Sequence, residues 1–147
     1  MGFFTKKPPP TIFEVLGIDL TKYPDSSFIL ESNENDRELY KQSEMTSKYM
    51  GVFSELSILC FKGTNHKNFF FKSKPDEFTK RDLSTILEKI YSIYGKDDND
   101  FGLYKKEDSE DIDDGFWLGR NWNSEKYSIA CAISLNEEKE LALTIWS

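Results

Sequence analysis

The sequence predicts an α+β fold in which helices pack on one face of an antiparallel sheet. One segment spaces its apolar residues three and four apart, as an amphipathic helix does, and several others alternate apolar and polar residues, as strands do. Two turn-rich links between strand-like runs predict hairpins. The 147 residues are 38% hydrophobic and 15% aromatic. That composition predicts a single compact domain, 1-147.

The most strongly marked helix runs from Thr79 to Tyr94. Thr79 and Asp82 have the spacing of a capping box, and Gly95 can adopt the backbone conformation that ends a helix. Between them lies one apolar stripe, made of Leu83, Ile86, Leu87, Ile90 and Tyr94. A shorter helix is predicted from Thr11 to Gly17, because Thr11 and Glu14 repeat the capping pattern. The sequence therefore predicts two helices, one long and one short.

Seven segments are predicted to be strands. They are Ser27 to Ser32, Arg37 to Ser47, Gly51 to Lys62, Asn68 to Ser73, Phe116 to Trp122, Lys126 to Leu135, and Glu140 to Trp146. The alternation is strictest from Tyr127 to Leu135, which predicts a sheet covered on one face. Turns at Gly63 to Lys67 and at Asn136 to Lys139 predict two hairpins.

The two halves of the chain also suggest a tandem duplication, with internal repeats 11-73 and 85-147. The segment Thr11 to Leu16 can be laid over Thr85 to Ile90, and Phe28 then falls on Phe101. Each repeat would be a helix followed by four strands. The alternative is a single sheet with helices packed on it and no inherited symmetry.

No catalytic group or cofactor site is predicted. The one histidine, His66, lies in a predicted turn, and Cys60 and Cys131 lie in predicted strands, where they are expected to pack in the core. One histidine and two distant cysteines do not form a zinc site, and no glycine pattern matches a phosphate-binding loop. The expectation is a protein that is not an enzyme.

A calcium loop is the one metal motif that the sequence partly imitates. Asp97, Asn99 and Gly102 occupy the first, third and sixth positions of such a loop, but Phe101 replaces a ligand at the fifth. The twelfth position is Asp108 instead of a bidentate glutamate. No metal is predicted.

Charge placement points to the region after the long helix. The net charge of −7 argues against binding to nucleic acid or to an anionic membrane. Between residues 97 and 115 there are nine carboxylates and two lysines, whereas residues 62 to 81 carry an excess of basic side chains. The simplest interpretation is a solvated acidic loop. The functional interpretation is an acidic face that steers a basic protein partner.

The predicted partner-binding residues combine this acidic stretch with the aromatic and arginine side chains that follow it. They are Asp108, Glu110, Asp111, Asp113, Asp114, Trp117, Arg120 and Trp122. Tryptophan and arginine are frequent anchors of protein interfaces. The alternative is that the tryptophans belong to the core.

These features lead to the hypothesis of a cytoplasmic, non-catalytic protein-binding protein, such as an inhibitor or immunity-type protein that docks a basic partner. The cytoplasm is expected because no signal-peptide pattern and no apolar run of membrane-spanning length is seen. Three alternatives stay open: a secretion chaperone, a hydrolase with an unrecognised carboxylate pair, and a structural subunit that self-associates through an apolar patch. The oligomeric state is not predicted.

Overall fold

The structure is a computed structural model that describes residues 12–17, 19–42, 48–123, 125 and 129–147. Seven strands form one sheet: β1 (Phe28–Asn33), β2 (Arg37–Gln42), β3 (Glu55–Phe61), β4 (Lys67–Lys72), β5 (Arg120–Trp122), β6 (Ala130–Leu135) and β7 (Leu141–Trp146). Their order is β1-β2-β3-β4-β7-β6-β5, and every neighbouring pair is antiparallel. The predicted α+β class with an antiparallel sheet is confirmed.

The helices are α1 (Ile12–Leu16), α2 (Lys80–Tyr94) and α3 (Lys106–Asp113), with a short 3-10 helix at Leu20–Lys22. The predicted start of α2 is confirmed. The Asp82 N–H donates to Thr79 Oγ1 over 3.0 Å, and the Thr79 N–H donates to Asp82 Oδ2 over 2.9 Å. Gly95 ends the helix with a φ of 75°.

The sheet consists of two meanders that meet in its centre. Strands β1 to β4 follow one another in space, and β5 to β7 do the same from the other edge, so that β4 pairs with β7. Both predicted hairpins, β3–β4 and β6–β7, are confirmed. Leu141, Leu143 and Ile145 of β7 are fully buried, which explains why the last strand lies in the middle of the sheet.

Alternation along the strands separates the two faces of the sheet. On the face that we call the core face, Ile58, Phe69 and Ile145 are cross-strand neighbours, and all three belong to the hydrophobic core. The buried side chains of α1 and α2 belong to the same cluster. The opposite side we call the open face. Its strand residues include Leu59, Phe61, Phe70, Thr144, Trp146, Ala130 and Ala132.

The segment after α2 differs most from the prediction. It was expected to be an acidic loop, but residues 106 to 113 form α3, and β5 begins at Arg120 instead of Phe116. Asp108 stabilises the start of this helix, because its carboxylate accepts a hydrogen bond from the Lys105 backbone N–H and is itself held by Arg120. The ends of two predicted strands, 43–47 and 126–128, lie outside the described residues.

The duplication stays a prediction. In the described part of the second half, two helices precede three strands, whereas the first half has four strands. Phe28 starts β1, but its overlay partner Phe101 lies in the connection between α2 and α3. The predicted unit of one helix and four strands is therefore not seen in residues 85–147 as far as they are described.

Among the described residues, none of the helices has both the length and the apolar character needed to cross a bilayer.

Candidate functional site

Helix α3 is anchored by the buried carboxylate of Asp108. Its Oδ2 accepts hydrogen bonds from Arg120 Nη2 over 2.8 Å and from the Lys105 backbone N–H over 3.0 Å. Its Oδ1 accepts one from Trp117 Nε1 over 2.9 Å. The Asp108 and Arg120 side chains are 7% and 2% exposed, so this ion pair is shielded from water. A short, acidic helix is thus held in place by a polar contact instead of an apolar stripe.

Arg120 lies at the centre of the connections between α3, β5 and the preceding loop. Its Nε donates to the Gly102 carbonyl over 2.6 Å, and its Nη1 donates to the Gly119 carbonyl over 2.9 Å. The guanidinium lies between two rings, with Cζ 5.6 Å from the centroid of Phe101 and 5.7 Å from that of Trp117. Such an arginine is fixed by charge, by hydrogen bonds and by cation–π contacts together.

Gly119 is required for β5 to approach β6. Its φ is 76°, a conformation that favours glycine, and a Cβ at this position would overlap the backbone carbonyl oxygen of Ile133. Any side chain here would push Arg120 away from its partners. The glycine that precedes the arginine is therefore part of the structural basis of the site.

Asp97 is a second buried carboxylate, and it orders the loop between α2 and α3. It accepts hydrogen bonds from the Tyr91 hydroxyl and from the backbone N–H groups of Phe101, over 3.1 Å, and Gly102, over 3.0 Å. The loop is thereby tied to α2 on one side, and Gly102 connects it to Arg120 on the other. Asp97 therefore acts here as an acceptor for loop groups.

Both buried aspartates are held in their charged form. Burial by itself would raise the pKa of Asp108, but the hydrogen bonds from Arg120, Trp117 and Lys105 outweigh it, and the pKa lies below its ordinary value. For Asp97 burial is likewise outweighed, chiefly by Tyr91 and the two backbone N–H groups, and the pKa is again lowered. Neither group is suited to donating a proton near neutral pH.

Above this buried network lies a surface that combines carboxylates with large apolar side chains. Phe116 is 63% exposed and Leu118 is 68% exposed. They follow α3, whose last turns and end carry Glu110, Asp113 and Asp114 on the solvent side and Asp111 partly buried. We call this set the acidic docking surface: Glu110, Asp111, Asp113, Asp114, Phe116 and Leu118.

A cavity of about 280 Å³ opens next to Leu118. It is lined by Phe101, Lys105, Glu107, Asp108, Asp111, Trp117, Leu118 and Arg120. Its size is at the lower limit for small-molecule sites, and its two buried charges, Asp108 and Arg120, neutralise each other. It is better suited to receiving one side chain of a macromolecule than to holding a free charged metabolite.

The structure brings some of the predicted site residues together and separates others. Asp108, Trp117 and Arg120 form the buried network described above. Counted as whole residues, backbone included, they are 5%, 5% and 3% exposed. Trp122 is fully buried at a distinct place, where its Nε1 donates to the Gly95 carbonyl over 3.0 Å. These four side chains lie beneath the surface, whereas the other four predicted residues belong to the acidic docking surface.

Phe116 and Leu118 were missed from the sequence. The signal was present, because alternation from Phe116 to Leu118 places Trp117 on one side of an extended segment and its two neighbours on the other. With the tryptophan in the core, Phe116 and Leu118 must face solvent. Trp117 and Arg120 were predicted to contact a partner because of their residue type, whereas their exposed neighbours were not included in the predicted site.

The one histidine of the chain, His66, does not line the cavity next to Leu118. His66 is exposed in the β3–β4 turn, with its Nδ1 3.2 Å from the backbone oxygen of Ser147. Within the described ranges, no three histidine, cysteine or acidic side chains are close enough to hold a metal ion. The arrangement is suited to presenting a rigid, charged surface.

No protein-family model, no curated protein and no solved structure matches this chain.

Proposed function

We propose that this chain is a non-catalytic protein-binding protein that docks a basic partner through the acidic docking surface. The observation that supports this best is the exposure of Phe116 and Leu118, at 63% and 68%, directly beside the carboxylates that end α3. Large apolar side chains exposed to water raise the free energy of the protein, and burying them in an interface removes that penalty. Carboxylates around them select a partner of opposite charge.

The charges of this surface are mostly not neutralised inside the protein. Asp113 pairs with Lys80 over 2.8 Å, and Glu110 lies 3.9 Å from the largely exposed Lys106, which is a weak pair. No ion pair is found for Asp111 or Asp114 among the described residues. Together with the net charge of −7, this field would steer a basic partner toward α3.

The buried network supplies rigidity to the surface. Asp108, Trp117 and Arg120 lock α3 and the segment after it to β5, so Phe116 and Leu118 are already in position before a partner arrives. A preorganised surface loses less conformational entropy on binding. In this proposal the predicted residues Asp108, Trp117 and Arg120 support the contact residues from beneath, whereas Trp122 packs at a distinct place against Tyr91 and Tyr94 of α2.

The partner class that fits best is a protein with a basic active site or a basic nucleic-acid-binding cleft. An acidic helix flanked by two apolar side chains can fill such a cleft, excluding the natural substrate by charge mimicry and by bulk. An inhibitor or immunity-type protein that acts in the cytoplasm is the role we propose on this basis.

The test is affinity capture from the native lysate at low and at high salt, with two charge-reversal variants of equal net charge. The first variant combines Glu110→Lys with Asp114→Lys. Lysine complements the helix dipole at the C-terminal end of α3, and this offsets the loss of the weak, exposed pair between Glu110 and Lys106. Circular dichroism of both double variants checks that the helix is kept, so that loss of binding would not reflect unfolding. The control combines Glu88→Lys with Glu137→Lys, two exposed positions outside this surface.

We expect the wild type and the control to capture a basic protein at low salt and to release it at high salt. The Glu110→Lys/Asp114→Lys variant should bind it at least tenfold more weakly. Leu118→Ser should also weaken binding but leave the salt dependence unchanged, since it removes apolar contact and no charge. Equal capture by the two double variants would overturn the proposal.

A further inference from the structure

The open face presents a wide surface with few charges. Two rows of cross-strand neighbours cross its centre. One row is Leu39, Leu59, Asn68, Trp146 and Ala130, and the other is Lys41, Ser57, Phe70, Thr144, Ala132 and Asn121. Among the described residues, Leu59, Phe61, Phe70 and Trp146 do not belong to the hydrophobic core or pack against it. Trp146 is 37% exposed, which is unusual for a tryptophan in a central strand.

Charge is distributed unevenly between this face and the rest of the protein. On the described strand residues from β2 to β5, Glu55 is the one carboxylate that faces this side, and it lies 3.5 Å from Lys72. Other ionic groups at this face also pair locally, since Arg37 lies 2.9 Å from Asp36 and Lys72 also lies 3.7 Å from Glu140. The face therefore carries little net charge, whereas the chain as a whole has 26 acidic residues and a net charge of −7. Two copies of an acidic protein repel each other, and that repulsion is weakest when they meet through a surface without excess negative charge.

The two halves of the open face have complementary shapes. On β3 and β4 it carries Leu59, Phe61 and Phe70, and on β6 and β7 it carries Ala130, Ala132 and Ala142 together with the large side chain of Trp146. By the register of the strands, a twofold axis along them, between β4 and β7, places Leu59, Phe70 and Trp146 each over a smaller side chain of the other copy. Those smaller side chains are Ala130, Thr144 and Asn68. A twofold interface requires such self-complementarity. Two sheets packed in this way form an aligned sandwich with interdigitating side chains.

A recess of about 340 Å³ lies at the β5 side of this face, lined by Asn121, Asn123, Ala130 and Trp146. The small side chain of Ala130 leaves the space open beside the indole of Trp146. A bulky side chain from the β3–β4 half of a second copy has room to enter it. Its polar wall, two asparagine side chains, can form hydrogen bonds at the edge of such an interface.

The area of the open face is close to that of a stable dimer interface. Seven strands about 4.8 Å apart, six of them about six residues long, form a surface on the order of 30 by 20 Å, or about 600 Å² before the relief of the side chains is counted. Typical stable interfaces bury about 800 Å² per partner. An interface covering most of this face approaches that size.

We propose that two copies of this chain associate through their open faces into a twofold-symmetric dimer, which leaves the acidic docking surface of each copy free. Phe70 and Trp146 are the central apolar contacts, and Thr144 lies next to the twofold axis. The proposal is independent of the function proposed above, because the acidic docking surface and the open face share no residue.

The first test is the molar mass in solution, measured by light scattering and by sedimentation velocity over a range of concentrations. We expect a dimer for the wild type, and at least a tenfold increase in the dimer dissociation constant for Phe70→Lys and for Trp146→Lys. The matched control is Leu118→Lys, which makes the same kind of change on the acidic docking surface and should remain dimeric. A monomeric wild type at every concentration would overturn the proposal, as would a dimer that Leu118→Lys dissociates and Trp146→Lys does not.

A second measurement avoids variants that disturb the apolar surface. Thr144→Cys places a thiol beside the twofold axis in an otherwise unchanged face, where a second copy would shield it. Its reaction with a maleimide should slow at least tenfold as the protein concentration rises through the dimer dissociation constant. Cys131 is buried and Cys60 faces the core side, and mass spectrometry distinguishes them from the new site. Leu118→Cys is the control and should react at the same rate at every concentration. A concentration-independent rate for Thr144→Cys would contradict the proposed interface.

Discussion

Helices α2 and α3 follow one another in the chain but are held in place by different forces. Helix α2 has 15 residues and buries four apolar side chains, Leu83, Ile86, Leu87 and Ile90. Helix α3 has eight residues, and its buried residue is Asp108, a carboxylate. The first helix is positioned by apolar burial spread over four turns. The second has one buried ion pair with its hydrogen bonds as its main contact, supported by Ile112 against the core and by the exposed pair between Asp113 and Lys80.

This difference determines how each helix responds to change. Apolar burial is non-directional and is shared among many contacts, so each lost side chain removes only part of the stability. A buried ion pair depends on both partners, because the removal of one leaves the other charged and without compensation in a region shielded from water. Helix α3, which carries three of the four carboxylates of the acidic docking surface, therefore depends on a single contact far more than α2 does.

Removal of the Asp108 carboxylate should have the largest effect. In Asp108→Ala the free energy of unfolding should fall by about 3–5 kcal/mol, because Arg120 remains buried without its counter-charge. Denaturant unfolding measures the loss, and hydrogen exchange should show that α3 loses protection first.

A double-mutant cycle sharpens this prediction. Asp108→Ala combined with Arg120→Met should be less destabilised than the sum of the two single variants, since no uncompensated charge remains. Additive effects would mean that the ion pair is not what holds α3.

Truncation within α2 should be nearly as costly for the whole protein but should act in another way. Leu87→Ala should lower the free energy of unfolding by about 2–5 kcal/mol, because Leu87 is fully buried in the core. The exposed neighbour Glu88 provides the control, and Glu88→Ala should change stability by less than about 0.5 kcal/mol. If hydrogen exchange showed that only α2 loses protection in Leu87→Ala, with β3 to β7 unaffected, then α2 would not be part of one cooperative core.

Lowering the pH should destabilise α3 before it destabilises α2, and we expect this to be the smallest of the predicted effects. The pKa values of Asp108 and Asp97 are lowered in the folded state, so their contribution to stability is complete above the unfolded-state value, near pH 4. It is lost as pH falls through the lower folded-state values. Each extra proton bound on unfolding contributes a slope of about 1.4 kcal/mol per pH unit.

The check is to measure unfolding free energy between pH 6 and pH 2.5 in the wild type and in Asp108→Asn. The variant should lose stability less steeply, because one of the buried carboxylates that bind a proton on unfolding is absent. An identical slope in both proteins would show that Asp108 is not a source of the acid sensitivity.

Local patterns were sufficient for α2 and for the two hairpins. The Thr79–Asp82 capping box, the apolar stripe and Gly95 all act within a few residues of one another, so the helix could be predicted from the sequence. Helix α3 could not be predicted, because its sequence contains Ile112 as its one aliphatic side chain and otherwise polar residues. What makes this segment helical includes contacts with Arg120 and Trp117, which follow it in the chain.

The acidic docking surface was likewise predictable from the sequence only in part. The sequence identified the carboxylates after residue 107, because charge can be counted without knowing the fold. It did not show that Trp117, Arg120 and Trp122 are buried or that Phe116 and Leu118 are exposed. Tryptophan and arginine are common both in cores and in interfaces, so residue type does not decide between the two places.

The sequence by itself determined the class of fold, the span of α2, the two hairpins and which residues of a strand share a face. Those properties depend on backbone geometry and on apolar periodicity, which are local. Only the tertiary structure decided that β4 lies beside β7, that Asp108 meets Arg120, and that one face of the sheet remains outside the core. These pairings join residues far apart in the chain, and their free energy comes from burial and charge compensation that exist only after the chain has folded.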